Sequence, residues 1–288
     1  MAALETAEAR SWRLQQWIWL VAVVCGAFGV FLSYHGSSVF YAFRLVFAVE
    51  VVLFLVHLVR FGWPKERIAV RWLLPLLLFW FVWAAASVAW SIDRSAWAHN
   101  LFLLALGLAS LGLTALYSDD RFLPRMMVVL LATVVLSYFI AFWENLTGHH
   151  LSISTIVFSL KNPVRSVHPT AWFHNENDYA SYLAILTPWF LPLAQATKRR
   201  WLRWLSPVLA GIGIYFIIAT SARIDIIAVG IGLLVFLLLH LWGHTLGKAL
   251  VTVVVAIAVS QLFVYALPPL QTAIFRAEKE SAGQVPSS

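Results

Sequence analysis

Charge is what this chain has least of. Asp, Glu, Lys and Arg make up 11% of its 288 residues, against 61% hydrophobic. A soluble domain of that length cannot cover its surface with so few charges, so the shortage excludes a soluble globular protein and leaves a membrane-embedded one. The mean hydropathy of +0.83 agrees. Acidic residues are scarcer still, 13 against 20 Lys and Arg. The resulting net charge of +7 is read as a loop signal and not as affinity for nucleic acid. Cysteine occurs once, at Cys25 in an apolar segment, which excludes an intramolecular disulfide. No internal repeat, low-complexity tract, nucleotide motif or tidy metal-ligand spacing is present, so no cofactor and no metal are expected.

What the chain has in abundance is apolar runs of bilayer length. They fall at 17–34, 39–59, 72–90, 96–117, 122–142, 177–196, 205–220, 224–241 and 249–267. The expected fold is therefore an all-α, polytopic transmembrane helix bundle of nine spans. The first run is long for a signal-peptide core and no clear small-residue cleavage site follows it, so it is counted as a span. Fifteen Trp suit aromatic belts at two interfaces.

Lys and Arg set the orientation. With a cytoplasmic N-terminus, thirteen fall inside: Arg10, Arg13, Arg60, Lys65, Arg67, Arg71, Arg121, Arg125, Lys198, Arg199, Arg200, Arg203 and Lys248. Only Arg94, Lys161, Arg165, Arg223, Arg276 and Lys279 fall outside, with Arg44 within the second run. The positive-inside rule thus predicts a cytoplasmic N-terminus. The predicted domain plan is a membrane domain over 1–269, with an outer loop at 143–176, and a short polar extracytoplasmic tail at 270–288. Within the loop, 151–160 (LSISTIVFSL) is apolar but too short to span, and either lies in the interface or re-enters the outer leaflet.

One stretch stands apart. At 170–186, TAWFHNENDYASYLAIL, a polar and acidic cluster opens directly into an apolar run. Asn175 or Asn177 can accept from free backbone N–H groups, and the carboxylates of Glu176 and Asp178 favour the positive end of a helix, so a helix N-cap is predicted here. The same residues resemble the F-x-N-x-N-x-x-A pattern of the O-antigen ligase and polymerase family of bacterial membrane proteins, through Phe173, Asn175, Asn177 and Ala180. The form FHNENDYA is similar to that of Gram-positive, teichuronic acid polymerase-like members.

Further pieces carry the resemblance from about Ser87 to Gly232. The turn Thr220, Ser221, Ala222, Arg223 resembles the family's Ser-x-Arg step, SVAWSIDR (87–94) its Ser-x-x-Trp-Ser-x-Asp step, and WENLTGHHL (143–151) its Glu-x-x-Thr-Gly-x-x-Leu step. Arg165 stands where members often carry a basic residue. Two departures are plain. Ala171 occupies a position that members often give to Gly, and the family's large, histidine-bearing outer loop after the ninth span is missing. The chain is accordingly read as the N-terminal portion of a longer protein or as a shortened member.

Residues read on their own chemistry leave alternatives open. Arg223 and Asp225 make a surface pair, or Arg223 faces a phosphate, which its fork of donors suits. Arg44 snorkels, or faces an anionic ligand. Glu50 is expected to make an interhelical contact in preference to a proton relay, and shares a helix face with His57. His149, His150, His168 and His174 are read as interfacial or hydrogen-bonding, and His240 and His244 as a polar helix end.

The resemblance implies transfer of a glycan from an undecaprenyl-diphosphate-linked donor to a sugar or lipid-sugar acceptor, on the outer face of a bacterial plasma membrane among membrane lipids. It implies that Arg223, Arg165 and Arg44 hold the pyrophosphate, with Glu144, Glu176 and Asp178 as acidic candidates for the base. Phe173, Asn175, Asn177 and Ser221 are the motif positions. The alternatives are a transporter or lipid-binding membrane protein, against which the lack of an inverted repeat counts, and a non-catalytic partner in envelope assembly.

Overall fold

The structure is a computed structural model that describes residues 2–28, 42–62, 68–151, 168–243 and 245–281. The regular structure among the described residues is all helical, with no strand. In chain order the helices are α1 (Ala2–Phe28), α2 (Ala42–Phe61), α3 (Ile68–Ala86, continued by a 3-10 turn Ser87–Trp90), α4 (Arg94–Tyr117) and α5 (Phe122–Thr147). After the loop come α6 (Glu176–Leu186), a 3-10 turn Thr187–Trp189, α7 (Phe190–Ala196), α8 (Arg200–Ala219), α9 (Arg223–Trp242) and α10 (Leu246–Ser281). Seven helices among the described residues are long and apolar enough to cross a membrane.

One of the expected elements is broken, and two helices run beyond the apolar runs that marked them. The first run was expected at 17–34, but α1 is already helical from Ala2 through Phe28, because the Ala, Glu and Leu of its polar start are strong helix formers. The run 177–196 was expected as one helix, but it breaks at Thr187–Trp189, where Pro188 has no N–H to continue the ladder. α10 runs on past the last apolar run to Ser281, so the start of the polar segment from residue 270 is helical.

The chain divides into two compact units, Met1–Ala22 with Arg44–Met127, and Val23–Phe43 with Val128–Ser288. The first unit is built on a buried polar chain across α1, α2 and α4. Tyr117 donates to Glu50 Oε1 and stands 3.0 Å from Gln15 Oε1, while Gln15 Nε2 donates to Ser11 Oγ (3.3 Å) and Ser11 Oγ lies 3.1 Å from His57 Nδ1. Glu50 thus makes the expected interhelical contact. Trp19 donates to Thr114 Oγ1 at 3.1 Å. Apolar faces alone slide past one another in a bilayer, so such interhelical hydrogen bonds fix register. Asp119 closes α4 and opens α5, its Oδ1 accepting from the N–H groups of Arg121 (2.9 Å) and Phe122 (2.6 Å).

The second unit packs by close backbone approach. A Cβ at Gly211 of α8 would run into the Ala256 carbonyl of α10, and one at Gly213 into Thr187 Oγ1 and the Tyr138 hydroxyl. Small residues let helices meet without a gap, which dispersion forces in lipid require. Around this contact Tyr138, Tyr179, Phe190 and Phe216 are buried, and the Tyr138 hydroxyl donates to the Leu209 carbonyl at 3.0 Å. Pro188, at the break, lies against Gly232 of α9.

Candidate functional site

The site is built at one end of the second unit, where α5 stops and α6, α8 and α9 turn. Glu144, in the last turn of α5, has no exposed side-chain surface. Its Oε2 accepts from the backbone N–H of Thr170 and of Ala171, both at 2.7 Å, and its Oε1 accepts from Thr170 Oγ1 at 3.1 Å. His150 Nδ1 lies 3.3 Å from the same Oε1. The carboxylate therefore acts as a clasp, closing the long loop onto α5. Beside it, Asn145 Oδ1 accepts from the Tyr215 hydroxyl (2.7 Å) and from Gln271 Nε2 (2.8 Å), which joins α5 to α8 and α10.

Held by that clasp, the chain turns sharply. Ala171 has φ of 49°, in the left-handed region that favours glycine, and the Phe173 N–H donates to the Thr170 carbonyl at 2.9 Å. This is the position at which the family pattern often has Gly. Trp172 is buried and donates to the Ala27 carbonyl at 2.9 Å. Phe173 packs over Tyr179 and Tyr182 with ring centres 5.8 and 5.0 Å away. Asn175 then caps α6 as expected, its side-chain oxygen accepting from the Asp178 N–H at 2.9 Å and its amide donating to Asp178 Oδ2 at 2.8 Å. Asn177 and Asp178 are exposed, and Glu176 is half-buried.

Two side chains bring the α8–α9 turn to this motif. His168 Nδ1 donates to the Ala219 carbonyl at 2.7 Å, and Ser181 of α6 donates to Asp225 Oδ1 at 3.1 Å. Ser221, at the turn, has φ of 59°. Arg223, the first residue of α9, is exposed and makes no ion pair among the described residues; Asp225 is taken by Ser181 instead. The N-cap of α9 is Ala222, which offers no side-chain acceptor, so the positive end of that helix is capped by no side chain. An exposed guanidinium and a helix N-terminus without a side-chain cap thus meet at this mouth, together with the carboxylates of Asp225 and of the acidic first turn of α6; of these groups the guanidinium is the one suited to an anion.

The other expected residues fall elsewhere. Arg44 belongs to the first unit, its guanidinium over the Phe102 ring at 5.6 Å from the ring centre. Arg165 lies outside the described residues, as do Lys161 and His244. In the first unit, Asp93 of SVAWSIDR caps α4 by accepting from Ser95 N (2.9 Å) and Ala96 N (3.0 Å). Trp97 Nε1 donates to Ser87 Oγ at 3.1 Å, beside a cavity of about 410 Å³ lined by Trp90, Asp93 and Asn100. Sequence reasoning missed Thr170, Ser181, Asn145 and Gln271. Thr170, Ser181 and Asn145 each had a signal, since each lies inside a stretch already singled out, and Gln271 had none.

Fold and site together define a multi-pass helical membrane protein. Compared with known proteins, the chain is similar to the teichuronic acid biosynthesis protein TuaE of Bacillus subtilis, 26% identical over 250 residues that cover 84% of this chain and 50% of that protein. The chain thus spans about half the length of the curated relative it matches. No family model matches, and no solved structure does.

Proposed function

We propose that this chain takes part in cell-surface polysaccharide biosynthesis, handling an undecaprenyl-diphosphate-linked glycan at the extracytoplasmic face of the plasma membrane and passing it to a sugar acceptor by ligation or polymerisation. The observation that carries this reading is the mouth of the second unit. The two non-glycine residues with positive φ among the described residues, Ala171 and Ser221, fall in the Asn motif turn and the Ser-x-Arg turn, and those turns are joined through His168 and Ser181. Strained backbone persists where the surroundings hold it for a purpose. The similarity to TuaE along 84% of the chain supports the same pathway class.

In this reading Arg223 neutralises the pyrophosphate, whose charge grows as the acceptor hydroxyl attacks the anomeric carbon and the lipid diphosphate leaves. Arg165 is proposed as a further pyrophosphate contact, while Arg44, in the first unit over the Phe102 ring, is given no part in this site. Glu176 and Asp178 are the accessible carboxylates able to take the acceptor's proton. Glu144 keeps a positioning role, because its oxygens are already engaged by the loop. The test is glycan transfer by membranes of cells making the native gene product with Arg165 and Arg223 both changed to Ala. A fall of about 10²-fold or more at unchanged protein level is expected; undiminished transfer would overturn the proposal.

One observation favours a second reading. The break at Thr187–Trp189 interrupts a membrane-length run, and broken helices line substrate paths in transporters. Here, however, the break is filled, with Thr187 buried and Pro188 against Gly232. Substrate uptake into proteoliposomes would favour transport over transfer.

A further inference from the structure

At the other end of the second unit, where α7 stops and α8 and α10 begin, is a cavity of about 420 Å³ that the proposed chemistry does not use. Its rim carries Arg203 and Lys248, and its apolar lining includes Pro207, Val251 and Val255. Two polar lining groups satisfy each other, Gln195 Nε2 donating to Thr252 Oγ1 at 2.8 Å, which leaves the two cations as the recognition groups. Arg203 reaches only the Thr197 carbonyl, at 3.4 Å, and both cations are exposed with no ion pair among the described residues.

The shortage of carboxylates is decisive here. No Asp or Glu occurs between Asp178 and Asp225, or between Asp225 and Glu278, so the segments that build this end set Lys198, Arg199, Arg200, Arg203 and Lys248 against no acid of their own. Exposed Trp201 and Trp204, the latter lining the cavity, have the amphipathic character of side chains that sit at headgroup depth. Basic rim, interfacial Trp and apolar interior follow one another as the headgroup and tail of a phospholipid do.

We propose that this cavity binds an anionic two-tailed phospholipid of the adjoining leaflet, its phosphate on Arg203 and Lys248 and an acyl chain along Pro207, Val251 and Val255. The site owes nothing to the glycan reading and stands or falls without it. The test is native mass spectrometry of the detergent-purified chain, titrated with phosphatidylglycerol and, separately, with phosphatidylcholine of the same acyl chains. Retention of phosphatidylglycerol about tenfold above phosphatidylcholine is expected, and its loss in an Arg203→Gln, Lys248→Gln double variant. Val255→Trp, which keeps both cations and fills the apolar interior, is also expected to abolish retention while the far-UV spectrum stays helical. Equal retention of the two lipids, a folded Val255→Trp variant that still holds phosphatidylglycerol, or displacement of the lipid by inorganic phosphate alone would overturn the proposal.

Discussion

Ala171 and Ser221 hold backbone angles that a side chain disfavours, and each does so at a turn that carries a motif. For L-residues the left-handed region costs about 1 kcal/mol, which glycine escapes. Ser221 is exposed, so Ser221→Gly is expected to raise stability by about 0.5–1 kcal/mol, read as a higher melting temperature in detergent. Ala171 is buried, so the methyl lost in Ala171→Gly offsets the relief and a change of under about 1 kcal/mol is expected. Ala171→Val combines a branched side chain with positive φ at a buried place, and is expected to cost more than either glycine variant gains. Glu144 gives the sharper contrast. In Glu144→Gln one acceptor oxygen becomes an NH₂ donor facing N–H and O–H groups, so about 1–3 kcal/mol is lost for each donor left unmet. The expected result is low abundance and a lower melting temperature in detergent, whereas Glu176→Gln and Asp178→Asn are expected to leave abundance unchanged and lower only transfer. Equal abundance of all three would remove the clasp. At this scale the cap was legible, because Asn175 needs only its own next residues. The clasp was not, since Glu144 meets Thr170 across 26 positions whose course no local pattern reveals.

At the scale of elements, hydropathy located the helices because a bilayer demands unbroken apolar runs with every backbone group paired inside them. What it could not place was the interruption, since Thr187, Pro188 and Trp189 are as compatible with an apolar run as a straight helix is. Nor does a hydropathy profile separate Gly211, which touches another backbone, from Gly230, against which nothing lies within 4 Å. That difference is testable. Gly230→Ala is expected to be neutral or mildly stabilising, as Ala is the better helix former by about 1 kcal/mol. Gly211→Ala drives a methyl into the Ala256 carbonyl and Val259, and overpacking of that kind costs about 1–3 kcal/mol. Measured side by side, the melting temperature is expected to fall in Gly211→Ala and to hold or rise in Gly230→Ala; a similar shift in both would mean that α8 and α10 are not in close contact.

For the molecule as a whole, the distribution of charge says more than its amount. The glycan reading requires the Asn motif mouth on the outer face, and the phospholipid cavity, at the opposite end of the same unit, then faces the cytoplasmic leaflet. Thirteen cations on one set of loops against six on the other favour that orientation. The sole cysteine makes the test clean. In a Cys25→Ser background, Asn177→Cys and Arg199→Cys would each place one thiol at an exposed position, one at either end of the second unit. A membrane-impermeant maleimide added to intact cells is expected to label the first variant and not the second, with both labelled after permeabilisation. The reverse pattern would put Arg223 and its mouth in the cytoplasm, where a donor presented at the outer leaflet never reaches, and the transfer reading would fall on topology alone. The phospholipid site would survive that result, because its cations, its Trp and its apolar interior recognise an anionic leaflet whichever side it faces.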